Sequence, residues 1–96
     1  MTARIAVTVK SFATLREVMD PEIHLEVPSG ISVGALLDDL VARFDGLGPL
    51  LFSGPGVLLE YVNILKNGRN IHFLAGLSTI IENGDTIALF PPAAGG

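Results

Sequence analysis

The stretch Asn83-Gly84-Asp85-Thr86-Ile87-Ala88-Leu89-Phe90-Pro91-Pro92 decides the fold. Asn-Gly-Asp is turn chemistry, because Asn and Gly tolerate positive φ and Asp bonds to its own backbone. Thr86 to Phe90 then reads as a strand, and the near-continuous apolar run Ile87-Ala88-Leu89 predicts a central place, buried on both faces. Pro91 and Pro92 stop it, since proline lacks the N–H that a central strand must donate. The last strand is thus predicted to lie inside a sheet and to release the chain as a short tail.

Working outward, Ile5, Val7 and Val9 alternate with Ala6, Thr8 and Lys10, the period of a strand with one buried face. Ile23, Leu25 and Val27 alternate with His24 and Glu26 and form a second strand. The polar connection from Ser11 to Glu22 closes at Asp20-Pro21, and neighbouring strands of this kind pair as a hairpin. After Pro28-Ser29-Gly30, Ser32 has the chemistry of a helix N-cap. Val33, Leu36, Leu37, Leu40, Val41 and Phe44 fall on one helical stripe, which Gly46 and Gly48-Pro49 end. Leu50, Leu51 and Phe52 continue as a short helical turn, an apolar cluster expected to pack inside rather than to form an interface.

Tyr61 to Lys66 reads as a third strand, Asn67-Gly68 as a tight turn, and Arg69 to Phe73 as a short returning strand. Leu77 to Glu82 is irregular or one turn of helix. The order strand, strand, helix, strand, short strand, strand predicts an α+β domain. A mixed sheet of four to five strands carries one main helix on one face, the β-grasp or ubiquitin-like plan. The expected division is a domain over residues 1–90 and a flexible tail over 91–96.

Composition limits the function. The chain has 96 residues, 49% of them apolar and 17% charged, so one globular domain is expected. It has no cysteine, which removes disulfides, thiolate metal sites and a thiol nucleophile. The net charge of −4, with six basic residues, argues against phosphate-driven nucleic-acid binding and for docking on a basic protein surface. Met1-Thr2-Ala3-Arg4 does not start a signal peptide, and glycines and prolines break the apolar stretch from Leu47 to Leu59, so no membrane segment and a cytoplasmic location are expected.

The tail Pro91-Pro92-Ala93-Ala94-Gly95-Gly96 is the candidate reactive element. Two residues without Cβ beside an α-carboxylate enter a channel too narrow for side chains, and the prolines stiffen the stalk. From Pro91 the tail reaches about 20 Å at ~3.3 Å per residue.

Val9-Lys10-Ser11-Phe12-Ala13-Thr14-Leu15-Arg16-Glu17 resembles the start of the MoaD family, the small subunits of molybdopterin synthase, within the wider MoaD/ThiS-like sulfur carriers. Asn83-Gly84-Asp85 and Ile87 through Gly96 resemble that family's end. Tyr61-Val62-Asn63-Ile64 through Asn67-Gly68 to Phe73 is similar to a longer branch that includes the sulfur carrier of a cysteine biosynthesis route. The resemblance implies a carrier that catalyses nothing itself. An E1-like enzyme adenylates the carboxylate of Gly96 with ATP, and a sulfurtransferase converts it to a thiocarboxylate. It implies no permanently bound cofactor and no metal. The acceptor is the large subunit of molybdopterin synthase or, alternatively, a PLP-dependent cysteine synthase. A further alternative is a covalent protein modifier joined to lysines through Gly96, and a last one a β-grasp interaction module with an inert tail.

Phe12 and Phe90 sit where the family places apolar partner contacts, and the residues themselves leave core packing equally open. Arg16, Lys66 and Arg69 are read as solvated charge before partner contacts. His24 and His72 lack acidic residues at ligand spacing, and His24 is expected to face outward. Asp38 and Asp39 diverge by about 100° on a helix and form a solvated face rather than a carboxylate pair.

Overall fold

The computed structural model describes residues 3–92. Strand β1 (Arg4–Ser11) leads through a 3-10 segment (Ala13–Glu17) to β2 (Glu22–Pro28). Helix α1 (Val33–Arg43) follows, then the helical turn α2 (Gly48–Leu51) and a small hairpin of β3 (Phe52–Gly54) and β4 (Val57–Leu58). Strands β5 (Asn63–Lys66), β6 (Arg69–Asn70) and β7 (Thr86–Phe90) complete the fold. The main sheet has the order β2-β1-β7-β5-β6. β1 and β2 are antiparallel, while β7 lies parallel to β1 and antiparallel to β5. This mixed five-stranded sheet with one main helix is the expected β-grasp.

Pairing register builds the core. Val9 lies opposite Ile87, and Ile64 opposite Leu89, so the inner faces of three strands form one apolar surface. Val33, Leu36, Leu37 and Leu40 of α1 cover it, all four without solvent exposure. The helix starts where expected: Ser32 is extended, and its hydroxyl accepts the Ala35 N–H at 3.1 Å. Asp39 pairs with Arg43 at 2.9 Å one turn along the exposed side, and Asp38 is exposed too.

Several local expectations are corrected. β7 is central but not buried on both faces: Ile87 and Leu89 are buried, whereas Thr86, Ala88 and Phe90 are half-exposed. The single helix covers one side, and the apolar run reflects alanine and phenylalanine on an open face. The third strand begins at Asn63 rather than Tyr61, because Tyr61 takes φ +70, outside any strand. The returning strand stops at Asn70, whose side chain accepts the His72 N–H and turns Ile71–Phe73 into 3-10 helix. The polar connection after β1 contributes Leu15 and Met19 to the core, two anchors hidden among its charges. Leu51 is buried and Leu50 and Phe52 pack partly against the core, as expected.

The Asn83-Gly84-Asp85 turn is a polar latch that ties the start of β7 to both neighbours. Asn83 Oδ1 accepts the Ala6 N–H at 2.8 Å, and the Gly84 N–H donates to the Ala6 carbonyl at 2.7 Å. Asp85 is 7% exposed and accepts the Glu82 N–H at 2.7 Å and Asn67 Nδ2 at 2.8 Å. Asn67 Oδ1 in turn accepts the Thr86 N–H at 2.8 Å. Lys66 is not solvated charge, as the sequence suggested. Its side chain is 16% exposed and reaches Asp85 at 3.4 Å. Burial alone would raise the Asp85 pKa, but the Glu82 N–H, Asn67 and Lys66 outweigh it and hold the carboxyl below its ordinary range.

Candidate functional site at the base of the tail

Because β7 runs parallel to β1, both strands finish at the same end of the sheet. That end therefore collects the residues that follow each strand. Phe12 follows β1 and Phe90 closes β7, and their rings stack at a centroid distance of 4.3 Å, 5° from parallel. Ala13, at φ +53, turns the chain away directly after Phe12. The Arg16 guanidinium carbon then sits 5.1 Å over the Phe12 ring, and its Nε donates to the Ser11 carbonyl at 2.8 Å. The result braces the strand end from which Pro91 and Pro92 continue, both half-buried.

The two readings of Phe12 and Phe90 resolve in part. Neither is a member of the buried core, and both are half-exposed on the face that the helix leaves open. Arg16 is exposed, but its place over Phe12 makes it part of the site rather than free surface charge. Arg69, His24 and His72 are exposed. Among the described residues, no cluster of three or more His, Asp or Glu is arranged to hold a metal.

A groove of about 610 Å³ opens beside the stack, lined by Tyr61, Asn63, Leu65, Asn70, Phe90 and Pro91. Its floor is the open face of β5 and β7, where Asn63 lies opposite Phe90 and Leu65 opposite Ala88. Asn70 Nδ2 donates to Asn63 Oδ1 at 2.9 Å, which fixes the polar rim. Tyr61 is 69% exposed although its backbone sits in the left-handed region, a conformation costing on the order of 1–3 kcal/mol for a bulky residue. Sequence reasoning missed Tyr61 and Leu65. The only signal was that Tyr61 is the chain's one tyrosine. The tail residues Ala93, Ala94, Gly95 and Gly96, expected as the reactive end, lie outside the described residues.

The arrangement is a brace, an apolar groove and a strand exit, with no catalytic constellation among the described residues. Several known proteins are similar to this chain over two thirds of its length or more. Small archaeal modifier protein 3 of Haloferax volcanii is 42% identical over 86 residues, covering 88% of this chain and 92% of that one. The sulfur carrier protein CysO of Mycobacterium tuberculosis is 40% identical over 71% of this chain and 75% of its own. A molybdopterin synthase sulfur carrier subunit of the same species is 32% identical over 96% and 99%. Among solved structures, the crystal structure of SAMP1 from Haloferax volcanii superposes with a TM-score of 0.81 at 35% identity, covering 95% of this chain and 99% of that one. A chain of the BexX/CysO complex from Amycolatopsis orientalis superposes with a TM-score of 0.74 at 29% identity, covering 94% and 99%. The model of the ThiS family matches residues 9–96, and the chain belongs to this family of ubiquitin-like sulfur carriers and small modifiers.

Proposed function

We propose that the chain is a sulfur carrier whose Gly96 α-carboxylate is adenylated by an E1-like enzyme and converted by a sulfurtransferase to a thiocarboxylate. The observation that carries this reading is the parallel β1–β7 pair, which ends in the Phe12–Phe90 stack beside an apolar groove and releases the chain at Pro91. A carboxylate is a poor electrophile until one oxygen becomes a good leaving group, which adenylation provides. The resulting thiocarboxylate supplies sulfur without a cysteine, and the chain has none. Catalytic groups, ATP and metal are assigned to the partners, and the carrier supplies position.

For the sulfur's destination, the reading from sequence is molybdopterin synthesis, with this chain as the small synthase subunit. Cysteine synthesis on a PLP-dependent enzyme is its alternative. Relatives named for both uses match the chain. Affinity capture with the thiocarboxylate form separates them by returning either a pterin synthase subunit or a cysteine synthase. A second reading, a covalent modifier joined to target lysines by the same activated carboxylate, is supported by the archaeal modifier relatives. An isopeptide remnant ending in Gly96 on lysines of other proteins is its signature.

Intact-mass analysis tests the core of the proposal. The chain incubated with its activating enzyme, ATP and a sulfur donor should replace one oxygen of Gly96 by sulfur, and a chain never adenylated would refute it. The groove predicts a second result. Phe90→Ala should weaken binding to the activating enzyme roughly 10- to 100-fold, the loss of a buried aromatic anchor. Fold stability should fall by only about 1 kcal/mol, because the stack is half-exposed in the free chain. Titration calorimetry against the enzyme and a urea melt read the two separately.

A further inference from the structure

Strand β2 is the outer strand of the main sheet, with β1 on one side and no strand on the other. The register shows which of its backbone groups face outward. The Ser11 N–H donates to the Pro21 carbonyl at 2.9 Å and the Ser29 N–H to the Ala3 carbonyl at 2.8 Å. Both bonds belong to the register that pairs Val9 with Ile23, Val7 with Leu25 and Ile5 with Val27. Residue pairs in an antiparallel ladder alternate between bonded and non-bonded. Ile23, Leu25 and Val27 therefore turn their backbone groups to β1, and Glu22, His24 and Glu26 turn theirs away from it. Thr8, opposite His24, agrees: its N–H donates to the Asp85 carbonyl at 3.0 Å, on the β7 side.

This open edge is bounded. Pro28 has no N–H, and the Glu26 carbonyl already accepts Arg4 Nη2 at 2.6 Å. The N–H groups of His24 and Glu26 and the carbonyls of Glu22 and His24 are left without a partner strand. The opposite edge offers no equal, since β6 has only Arg69 and Asn70. Along β2 the exposed side chains of Glu22, His24 and Glu26 alternate with Ile23 and Leu25, which are half-buried against the core. Glu17 and Asp20, just ahead of the strand, are exposed as well. Residues 17–42 contain neither Lys nor Arg. Of the nearby cations, Lys10 lies 3.8 Å from Glu22 and Arg43 is held by Asp39 at 2.9 Å. The Glu26 carboxylate enters no ion pair among the described residues.

We propose that the β2 edge takes up an extended segment of a partner protein as an added strand, one in which basic residues alternate with apolar ones. Backbone bonds to His24 and Glu26 hold the segment, and its side chains select it. Its basic residues lie beside Glu22 and Glu26 on the face that the helix leaves open. Its apolar residues fall on the other face and cover Ile23 and Leu25. A second copy of this chain is a poor occupant. β2 against β2 sets Glu22, His24 and Glu26 against the same residues, and like charges directly opposite are destabilising. The net charge of −4 adds to that repulsion. Because β1 separates β2 from β7, a bound strand leaves Phe90 and the exit at Pro91 uncovered.

NMR of the full chain tests this, with a capped synthetic peptide of alternating lysine and valine as the probe. The His24 and Glu26 amide signals should shift on titration, and with the peptide bound both amides should exchange with solvent about tenfold more slowly. Glu26→Lys should weaken the peptide about tenfold, because it turns a cross-strand attraction into a repulsion. His24→Pro removes an outward N–H and none of the bonds to β1, and an edge strand tolerates proline. It should abolish binding, whereas His24→Ala, which keeps the N–H, should still bind. Unmoved Ile64 and Leu89 signals report that each variant is folded. No shift at millimolar peptide, shifts centred on Tyr61 and Leu65, or equal binding of a peptide of alternating glutamate and valine would overturn the proposal. So would unaltered binding by His24→Pro. Concentration-dependent broadening of the β2 amides without peptide would replace the partner with a second copy and overturn it too.

Discussion

Deleting Gly95 and Gly96 is expected to abolish adenylation while leaving the fold intact. The deletion draws the terminal carboxylate back by about 7 Å at ~3.3 Å per residue. Reacting atoms in an adenylation must lie about 3–3.5 Å apart, and a misplacement of 1 Å already costs roughly 100-fold. The loss should therefore exceed about 1,000-fold and read as no reaction. It also places Ala94 at the terminus, whose Cβ would obstruct a partner channel that admits only glycine. The thermal midpoint should not move, because the packed core of the described residues ends at Leu89. Gly96→Ala keeps the length and adds one methyl, and it should retain a small part of the activity, on the order of 1%. Pyrophosphate exchange measures both. A deletion variant that is still adenylated at wild-type rate would show that the activating enzyme does not read this end.

The second large effect concerns the latch before the last strand. Asp85→Asn is expected to destabilise the fold by about 2–4 kcal/mol, the range for breaking a buried, hydrogen-bonded charge pair. An asparagine at this position sets an amide N–H₂ against the Glu82 N–H or Asn67 Nδ2, both donors, and leaves Lys66 without its buried counter-charge. The strand that carries Phe90 to the site is pinned by this turn, so destabilisation should begin at the tail's own base.

The pH dependence follows from the directions of the shifts. Asp85 has a folded pKa below its ordinary 3.8, so its contribution is complete above that value and is lost as pH falls through the folded pKa. Lys66 has a folded pKa above its ordinary 10.5, so its contribution is complete below that value and is lost as pH rises through the folded pKa. The gap in urea midpoint between wild type and Asp85→Asn should therefore be widest near neutral pH and should narrow in acid. A gap that stays constant through the acid limb would show that Asp85 acts through shape rather than charge.

Much of this was legible along the chain, and what was missed has a common cause. The alternation of Ile5, Val7 and Val9 and the stripe from Val33 to Leu40 are encoded by near neighbours, and both form as expected. Expectations failed where a side chain answered to a distant partner. Lys66 looks like surface charge until β5 is paired with β7 and Asp85 comes within reach. Arg69 to Phe73 has the residues of a strand, but Asn70 bonds the local backbone and bends it. Tyr61 has strand propensity, yet it sits at positive φ on the rim of the groove.

By itself, then, the sequence determined the order and kind of the main elements, the central place of the last strand, and a Gly95-Gly96 pair without Cβ behind two prolines. These are local properties of propensity, periodicity and the missing Cβ. Only the tertiary structure decided that Phe12 and Phe90 share one stack under Arg16, that Lys66 is held against Asp85, and that β7 turns an uncovered face to solvent. Those depend on the register of strands distant in the chain and on which face a single helix covers.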